Sequence, residues 1–497
     1  ILIYLPPIQN FLVDKAAVYA SEATGMNISV GRISLSFPLN LVVTDVDAAS
    51  PHNDTLLSVR RLQVNVQLLP LLKKQVEVDG ISLQGATVNS NDLIHGMKLN
   101  GTLGELFISS HGVALDPETA IVNKVLLKDT DLSLCLNDTA AADTAASDTT
   151  YWKIILQDID LQNVSFALDM PLDSLSLAAS LDNAILRDGL IDLHKSAYSL
   201  QTFRIKNGRV RYDSGKPLAA DSLPSGLDPS HIALTDIGVK LDSLYYEGRN
   251  MKAIISQFVL KERSGVEIVS ATGRMVSNDK VLRVPSLKLE TRDSYLELNA
   301  AMDWNALDFK GEGLVSARLM ADIGKPDVVR FMGSMDEKFI RQYPSEPLRI
   351  RTGIDGDLNK LKLTTLTAEL PGALGLFARG ELTHLTDSLL RGGDITLEAE
   401  TKDLKFVSTL AEGIEIPYGT RLEGKFTMAG AKMGTDLLLM QPEAQAVAAA
   451  DTIPITVYND SISVADDFKM ERAARLFAKY DLSCLLYTSP SPRDISG

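Results

Sequence analysis

The chain has 497 residues, a formal net charge of −15, 45% hydrophobic residues and 23% charged residues. That apolar content supports a sizeable folded core and excludes wholesale disorder. The acidity excludes a nucleic-acid-binding surface and broad electrostatic docking onto anionic lipid. Two distant cysteines, Cys135 and Cys484, make neither a disulfide framework nor a zinc motif.

In chain order, Ile1-Leu2-Ile3-Tyr4-Leu5 before Pro6-Pro7 reads as the outer end of a membrane helix, although it falls far short of the about twenty residues that span a bilayer. A helix is predicted over 8–24, where Ile8, Phe11, Leu12, Ala16 and Tyr19 recur at helical spacing and Gly25 stops it. From Asn27 the period falls to two, through Ile28 and Val30, then Ile33 and Leu35, Leu41 and Val43, and Leu62, Val64 and Val66. Residues 1–136 are thus a helix followed by the start of a β-groove. Residues 137–150 are a low-complexity Ala, Asp and Thr loop. Residues 151–316 continue a repetitive β-groove, with a loop at Asp213–Ser230 and hairpins around Ser264-Gly265 and Asn278-Asp279. A helical insertion is predicted over 317–347, interrupted at Pro326, and the groove continues over 348–465. Residues 466–483 form a predicted short helix with Met470, Ala473, Ala474, Phe477 and Tyr480 on one face. The tail 484–497 resembles translated sequencing-adapter DNA and is set aside as non-native.

One strand signature recurs: apolar-x-apolar, a polar or Gly position, then another apolar-x-apolar. Its copies are Val76, Val78, Gly80, Ile81, Leu83; Val125, Leu127, Asp129, Thr130, Leu132; Ile154, Leu156, Asp158, Ile159, Leu161; and Ile232, Leu234, Asp236, Ile237, Val239. Side chains alternate faces along a strand, so the parity change would turn the apolar set outward unless one extra residue were absorbed. A β-bulge at Gly80, Asp129, Asp158 and Asp236 is expected to do so and to bend the strand. The fold class is mainly β: an elongated, curved, repetitive β-sheet groove, β-taco or solenoid-like, with an N-terminal helix and short helical insertions. The apolar residues of the four copies are the candidate lining of the groove. Alternating apolar positions equally describe a β-sandwich core, so each faces either lipid or protein.

Catalytic signatures are missing. The six histidines (His52, His95, His111, His194, His231, His384) have no metal spacing, and there is no HExxH, GxSxG or P-loop. Asp355-x-Asp357-x-Asn359 opens like a calcium loop, but Lys360 and Leu366 stand where calcium needs Gly and Glu, so a β-turn is expected. Asp129, Asp158 and Asp236 could make a carboxylate ladder for carbohydrate chemistry, but no Arg or Lys recurs beside them in sequence, which favours a structural role. No catalytic residue, cofactor or metal is assigned.

The run Leu5-Pro6-Pro7, an amphipathic helix, then Thr24-Gly25-Met26-Asn27-Ile28-Ser29-Val30-Gly31-Arg32-Ile33-Ser34-Leu35-Ser36-Phe37-Pro38-Leu39 resembles the opening of AsmA-like envelope proteins. So does Asp54-Thr55-Leu56-Leu57 with Val64-x-Val66-x-Leu68-Leu69, and the strand-rich body is similar to TamB (translocation and assembly module) proteins. This resemblance implies an inner-membrane-anchored, single-pass protein whose body lies in the periplasm of a Gram-negative envelope. It implies an apolar β-groove for phospholipid acyl chains moving between inner and outer membranes, and an outer-membrane barrel protein as partner. The resemblance further implies a membrane helix ahead of Ile1 and a C-terminal family domain beyond the residues given. The alternative reading is an assembly factor for outer-membrane protein insertion or secretion. A third is a secreted β-solenoid adhesin or carbohydrate-active protein, which should align Asp, Arg and Lys where this chain aligns Leu, Val and Ile.

Overall fold

The computed structural model describes residues 26–37, 40–50, 54–66, 78–90, 96–114, 118–137, 151–215, 226–307, 313–332, 336–409, 418–430, 432–442 and 471–481, with positions 18 and 21. The chain is mainly β and builds repetitive, mostly antiparallel sheet, as its two-residue periodicity predicts. It divides into two compact units, one of residues 1–223 and 227–267, the other of 224–226 and 268–497.

The first unit contains β1 (Asn27–Ser36), β2 (Asn40–Ala49), β3 (Thr55–Val66), β4 (Val78–Asn89), β5 (Met97–Ala114) and β6 (Thr119–Leu136). It continues with β7 (Lys153–Met170), β8 (Leu175–Asp192), β9 (Ala197–Leu200), β10 (Thr202–Ser214), β11 (His231–Glu247) and β12 (Asn250–Glu262). Neighbouring strands pair antiparallel from β1 to β6, β6 pairs parallel with β7, and β9 and β10 both lie between β8 and β11. Of the helix predicted over 8–24, only Val18 and Ser21 are described, both helical, and the rest lies outside the described residues. The loop predicted at 137–150 lies outside them apart from Asn137, as does 216–225 of the second loop.

The second unit takes in β13 (Glu267–Ser277), β14 (Val281–Thr291), β15 (Tyr295–Asp303), a single helical turn α1 (Trp304–Leu307) and β16 (Leu314–Ile323). Helices α2 (Lys325–Phe331) and α3 (Glu337–Gln342) follow, then β17 (Leu348–Asp357), β18 (Lys360–Leu370), β19 (Leu374–Thr383) and β20 (Gly392–Thr401). A 3-10 turn (Lys405–Thr409), β21 (Arg421–Ala429), β22 (Lys432–Pro442) and β23 (Glu471–Asp481) complete it. The predicted hairpins are present. Asn278 Oδ1 accepts from Lys280 N and Val281 N between β13 and β14, and Glu262 N donates to Val266 O around Ser264-Gly265. Asp355-x-Asp357-x-Asn359 is the expected turn, with Asp357 Oδ1 accepting from Asn359 N and Lys360 N at 2.8 and 2.7 Å.

Two predicted helical segments are corrected. Residues 317–323 belong to strand β16, because Arg318 and Met320 alternate outward against the inward Leu319 and the buried Ala321. Pro326 does not interrupt a helix but starts α2, where its missing N–H has no helical partner to lose. Of the helix predicted over 466–483, residues 471–481 are strand β23, paired antiparallel with β22 from Pro442↔Glu471 to Lys432↔Asp481. The free backbone edge of β22 outweighs local helical preference there, and 474, 476, 478 and 480 also fit a period of two.

Among the described residues, a cluster of buried hydrophobic side chains lies in the second unit. Phe339, Tyr343 and Phe406 meet at centroid distances of 5.1–5.7 Å and pack with Leu370, Ala373 and Leu404. Burial raises the Tyr343 phenol above its ordinary pKa. Nearby, Asp327 is 1% exposed. Its carboxylate accepts from Thr291 Oγ1, from Ser294 Oγ at 2.6 Å and from Arg330 Nη1 at 3.1 Å. This ties α2 to the β14–β15 turn, and only glycine fits at 324, because a Cβ there would lie 2.3 Å from Asp293 O.

Candidate functional site: a creased apolar face

In the first unit the strand register aligns apolar residues into rungs that cross the sheet. One rung begins Leu35, Leu41, Val64, Ile81, Ile108, Val125 and continues Ile159, Leu186, Phe203, Leu241, Ile255. The rung beside it begins Ile33, Val43, Leu62, Leu83, Leu106, Leu127 and continues Leu161, Ala184, Ile205, Val239, Phe258. At strand spacing, eleven strands give a continuous apolar path of about 50 Å. The opposite face carries Arg32, Thr44, Arg61, Gln84, Glu105, Lys128, Gln162, Asn183 and Lys206 in one rung. The other opposite-face rung, between the two apolar ones, is mixed, with Ser34, Val42, Gln63, Ser82, Phe107, Leu126, Asp160, Ile185 and Arg204.

A crease runs beside these rungs. Gly31, Asp45, Arg60, Gly85, Gly104, Asp129, Asn163 and Asp182 drop out of the ladder one per strand, at matching register. Asp45, Asp129, Asn163, Asn207 and Asp236 have φ of 49–54°, the left-handed region that Asp and Asn tolerate best after Gly. Each such residue sets two consecutive side chains on the polar face. Lys128 with Asp129 and Thr235 with Asp236 are exposed, as are Arg60 and Arg61 where β3 crosses the crease without a positive φ, and the apolar alternation resumes with changed parity. Thr130, Val59, Ala184 and Ile237 flank the crease on the apolar side and are buried, at 2%, 6%, 4% and 9% exposure. Burial on that side, with exposure opposite, means the sheet folds toward its apolar face.

The polar side of the crease is pinned by side chains. Asn163 Nδ2 donates to Asp129 Oδ1 at 2.9 Å and Asn207 Nδ2 to Asp182 Oδ2 at 2.5 Å. Lys261 Nζ donates to Asp236 Oδ2 at 2.7 Å and holds that carboxyl below the usual range. At Gly31 a Cβ would come within 2.9 Å of Asp45 Cβ, and at Gly104 within 2.8 Å of Asp129 Cβ, so glycine lets the neighbouring strand approach. Asp129→Gly is expected to stay within about 1 kcal/mol of the parent, whereas Asp129→Val, β-branched at positive φ, should lose about 2 kcal/mol in urea titration.

The expected bulges are corrected in detail. At Asp129 the register is unchanged on both sides, since Leu103↔Thr130 and Glu105↔Lys128 each skip one residue per strand; a left-handed residue, not a two-against-one bulge, switches parity. Asp236 has both a positive φ and a register shift. Beside Gly80 the extra residue is Asp79, between Asn65↔Gly80 and Val66↔Val78. Asp158 itself is paired, with Lys124 and Arg187; the skipped residue is Gln157, opposite Asp188 at φ 51°. Asp79, Asn123, Gln157 and Asp188 mark a second crease, where Asn123 Nδ2 donates to Gln157 Oε1 at 2.8 Å. The two full rungs lie between the two creases as a floor, and the strand segments beyond each crease are its walls.

Every candidate lining residue whose side chain is described falls on this apolar face. Ile81, Val125 and Ile159 share one floor rung, and Leu83, Leu127, Leu161 and Val239 the other. Leu132 and Leu234 lie in a wall rung with Phe166, Ala179 and Val210, and Ile237 sits at the first crease opposite Gly208. Ile232 pairs with Tyr212 at the outer limit of that wall. Ile154 and Leu156 lie in the other wall, opposite Ile191 and Gly189. Val78 pairs with Val66 in β4, and Val76 lies outside the described residues. Most of these side chains are half-buried and Ile81 is 37% exposed. Sequence reading missed the same parity change at Val43-Thr44-Asp45-Val46, where Asp45 is left-handed, and at Val59-Arg60-Arg61-Leu62 and Leu181-Asp182-Asn183-Ala184, which have no positive φ; apolar, two polar, apolar was the available signal.

The second unit repeats the pattern with smaller residues: Leu289, Leu296, Ala321, Ile350, Ala368, Leu376, Ala399 and Leu422 form one rung. Leu348, Leu370 and Leu374, two residues outward on the same face, are covered by the aromatic cluster of Phe339, Tyr343 and Phe406.

Asp158 and Asp236 pair with Arg187 and Lys261 on neighbouring strands, and Asp129 accepts from the neutral Asn163 amide, partners that their sequence surroundings do not reveal. Among the described residues no group of three His, Cys, Asp or Glu could hold a metal ion, and no helix is long and apolar enough to cross a membrane. Neither a protein-family model nor a curated protein sequence matches the chain.

Proposed function

We propose that the creased apolar face of the first unit is a lipid track: acyl chains lie along the two floor rungs and are handed from strand to strand. The carrying observation is the uninterrupted alignment of aliphatic and aromatic residues from β1 to β12, half-buried and backed by a polar rung on the other face. An apolar sheet face needs a covering layer. Acyl chains supply one, at about 0.8 kcal/mol per buried CH₂ and without any directional contact. The likeness to AsmA and TamB proteins supports placing this track in the periplasm, anchored at the inner membrane and moving phospholipid between the two membranes without catalysis.

The test is to purify the intact protein and identify co-purifying lipid by mass spectrometry. Stoichiometric phospholipid is expected. No bound lipid, together with normal lipid transport and defective barrel insertion in a deletion strain, would support the assembly-factor reading and remove the track.

A further inference from the structure

The apolar face of the second unit is closed at one end of its strands and open at the other. The closed end is the cap of α2, α3 and the 3-10 turn over Leu348, Leu370 and Leu374. Side-chain and backbone ties hold it there. Asp327 joins α2 to the β14–β15 turn, Lys325 Nζ donates to Tyr343 O at 2.7 Å, and Lys402 N and Asp403 N donate to Ala373 O and Gly372 O. Ala373 is 0% and Phe339 2% exposed, so side chains fill the space beneath the cap. Away from the cap the same strands carry a floor of half-buried apolar residues. In β19, paired without interruption to β20, the floor runs from Leu376, next to the capped Leu374, to Leu382; Ala368 and Leu361 stand opposite these two in β18. From Leu376 to Leu382 the strand rises about 20 Å. The turn beyond is uncovered, with Leu389 and Leu390 84% and 64% exposed.

An aromatic wall accepts the end of a hydrocarbon chain but would strip a headgroup of its water, whereas the open turn leaves a headgroup hydrated. In a bilayer one acyl chain fills half of a hydrocarbon core about 30 Å thick, so the floor has the length of a single extended chain. We infer that the second unit takes phospholipid crosswise, with acyl chains along its strands, methyl ends against the cap and the headgroup at the β19–β20 turn, and that the cap sets the longest chain accepted. Closure of one end selects this orientation, and charge has no part in it. Small floor residues such as Ala378 and Gly380 bury less of each chain than the leucines and isoleucines of the first unit, so this site fills from added lipid and empties on purification. The inference rests on the lipid-track reading, which takes an apolar sheet face as an acyl-chain surface.

Phosphatidylcholine carrying a photoreactive diazirine, at the acyl terminus in one probe and on the headgroup in another, tests this when added in excess to the full chain. Headgroup adducts are expected on residues 384–391, and terminal adducts on 338–343 and 404–409. Halving the acyl chain should draw the terminal adducts about three residues away from the cap, to the stretch around Ala378 and Gly380, while headgroup adducts stay in place. Ile395→Asp, at a half-buried floor position of β20 opposite Gly380, should cut second-unit adducts about tenfold or more and leave those in β5 to β8 unchanged. Headgroup adducts on the cap, terminal adducts that ignore chain length, or an Ile395→Asp variant that labels like the parent would overturn the inference. Labelling of β5 to β8 with none in the second unit would also overturn it and keep the first-unit track. No acyl adducts in either unit would remove the track itself.

Discussion

Leu161→Asp is expected to abolish lipid loading while leaving the strand content of the protein intact. Leu161 stands in the middle of a floor rung between Leu127 and Ala184, two residues from Ile159 in the other rung. It is half-buried, so in the empty protein a carboxylate there remains hydrated. Once acyl chain covers the rung, the same carboxylate must be dehydrated, at several kcal/mol, which weakens loading by roughly a hundredfold or more. Leu156→Asp, in the wall beyond the second crease opposite Gly189, should weaken loading less because a chain on the floor can avoid it. Circular dichroism and bound-lipid mass spectrometry on the same preparations separate the two roles of these leucines. If either variant loses its β-type spectrum, its leucine is protein core and the track does not include that segment.

How the apolar face survives bending was half legible in the sequence. The parity change around Asp129 and Asp236 is a local pattern, and both residues are at positive φ. What was not legible is that the irregularities on separate strands lie in register, because register depends on pairing across dozens of residues. Asp129 meets Asn163 and Asp182 meets Asn207 only once β6, β7, β8 and β10 are aligned. The cations for Asp158 and Asp236 likewise come from 29 and 25 residues away. Residues 471–481 show the converse limit. Their spacing satisfies a helix and a strand alike, and only the open edge of β22 decides between them. Periodicity thus identifies faces, whereas pairing turns faces into rungs and isolated kinks into a crease.

Asp327→Ala should strongly destabilise the second unit, by about 2–4 kcal/mol in urea titration. The carboxylate receives Thr291, Ser294 and Arg330, and Arg330 also reaches Asp293 at 2.9 Å. Truncation leaves the two hydroxyls without their shared acceptor, while Arg330, 28% exposed, keeps Asp293 alone. Asp327→Asn keeps the volume and one acceptor oxygen, so it should cost less than the alanine. Because α2 leads into α3, which carries Phe339, the damage should spread to the aromatic cluster over Leu348, Leu370 and Leu374. Hydrogen exchange at 325–342 and 405–409 is therefore expected to accelerate, with strands β1 to β8 unchanged. Exchange confined to α2 would show instead that the cluster holds its place without the Asp327 tie, and that the outer rung of the second unit is covered by packing alone.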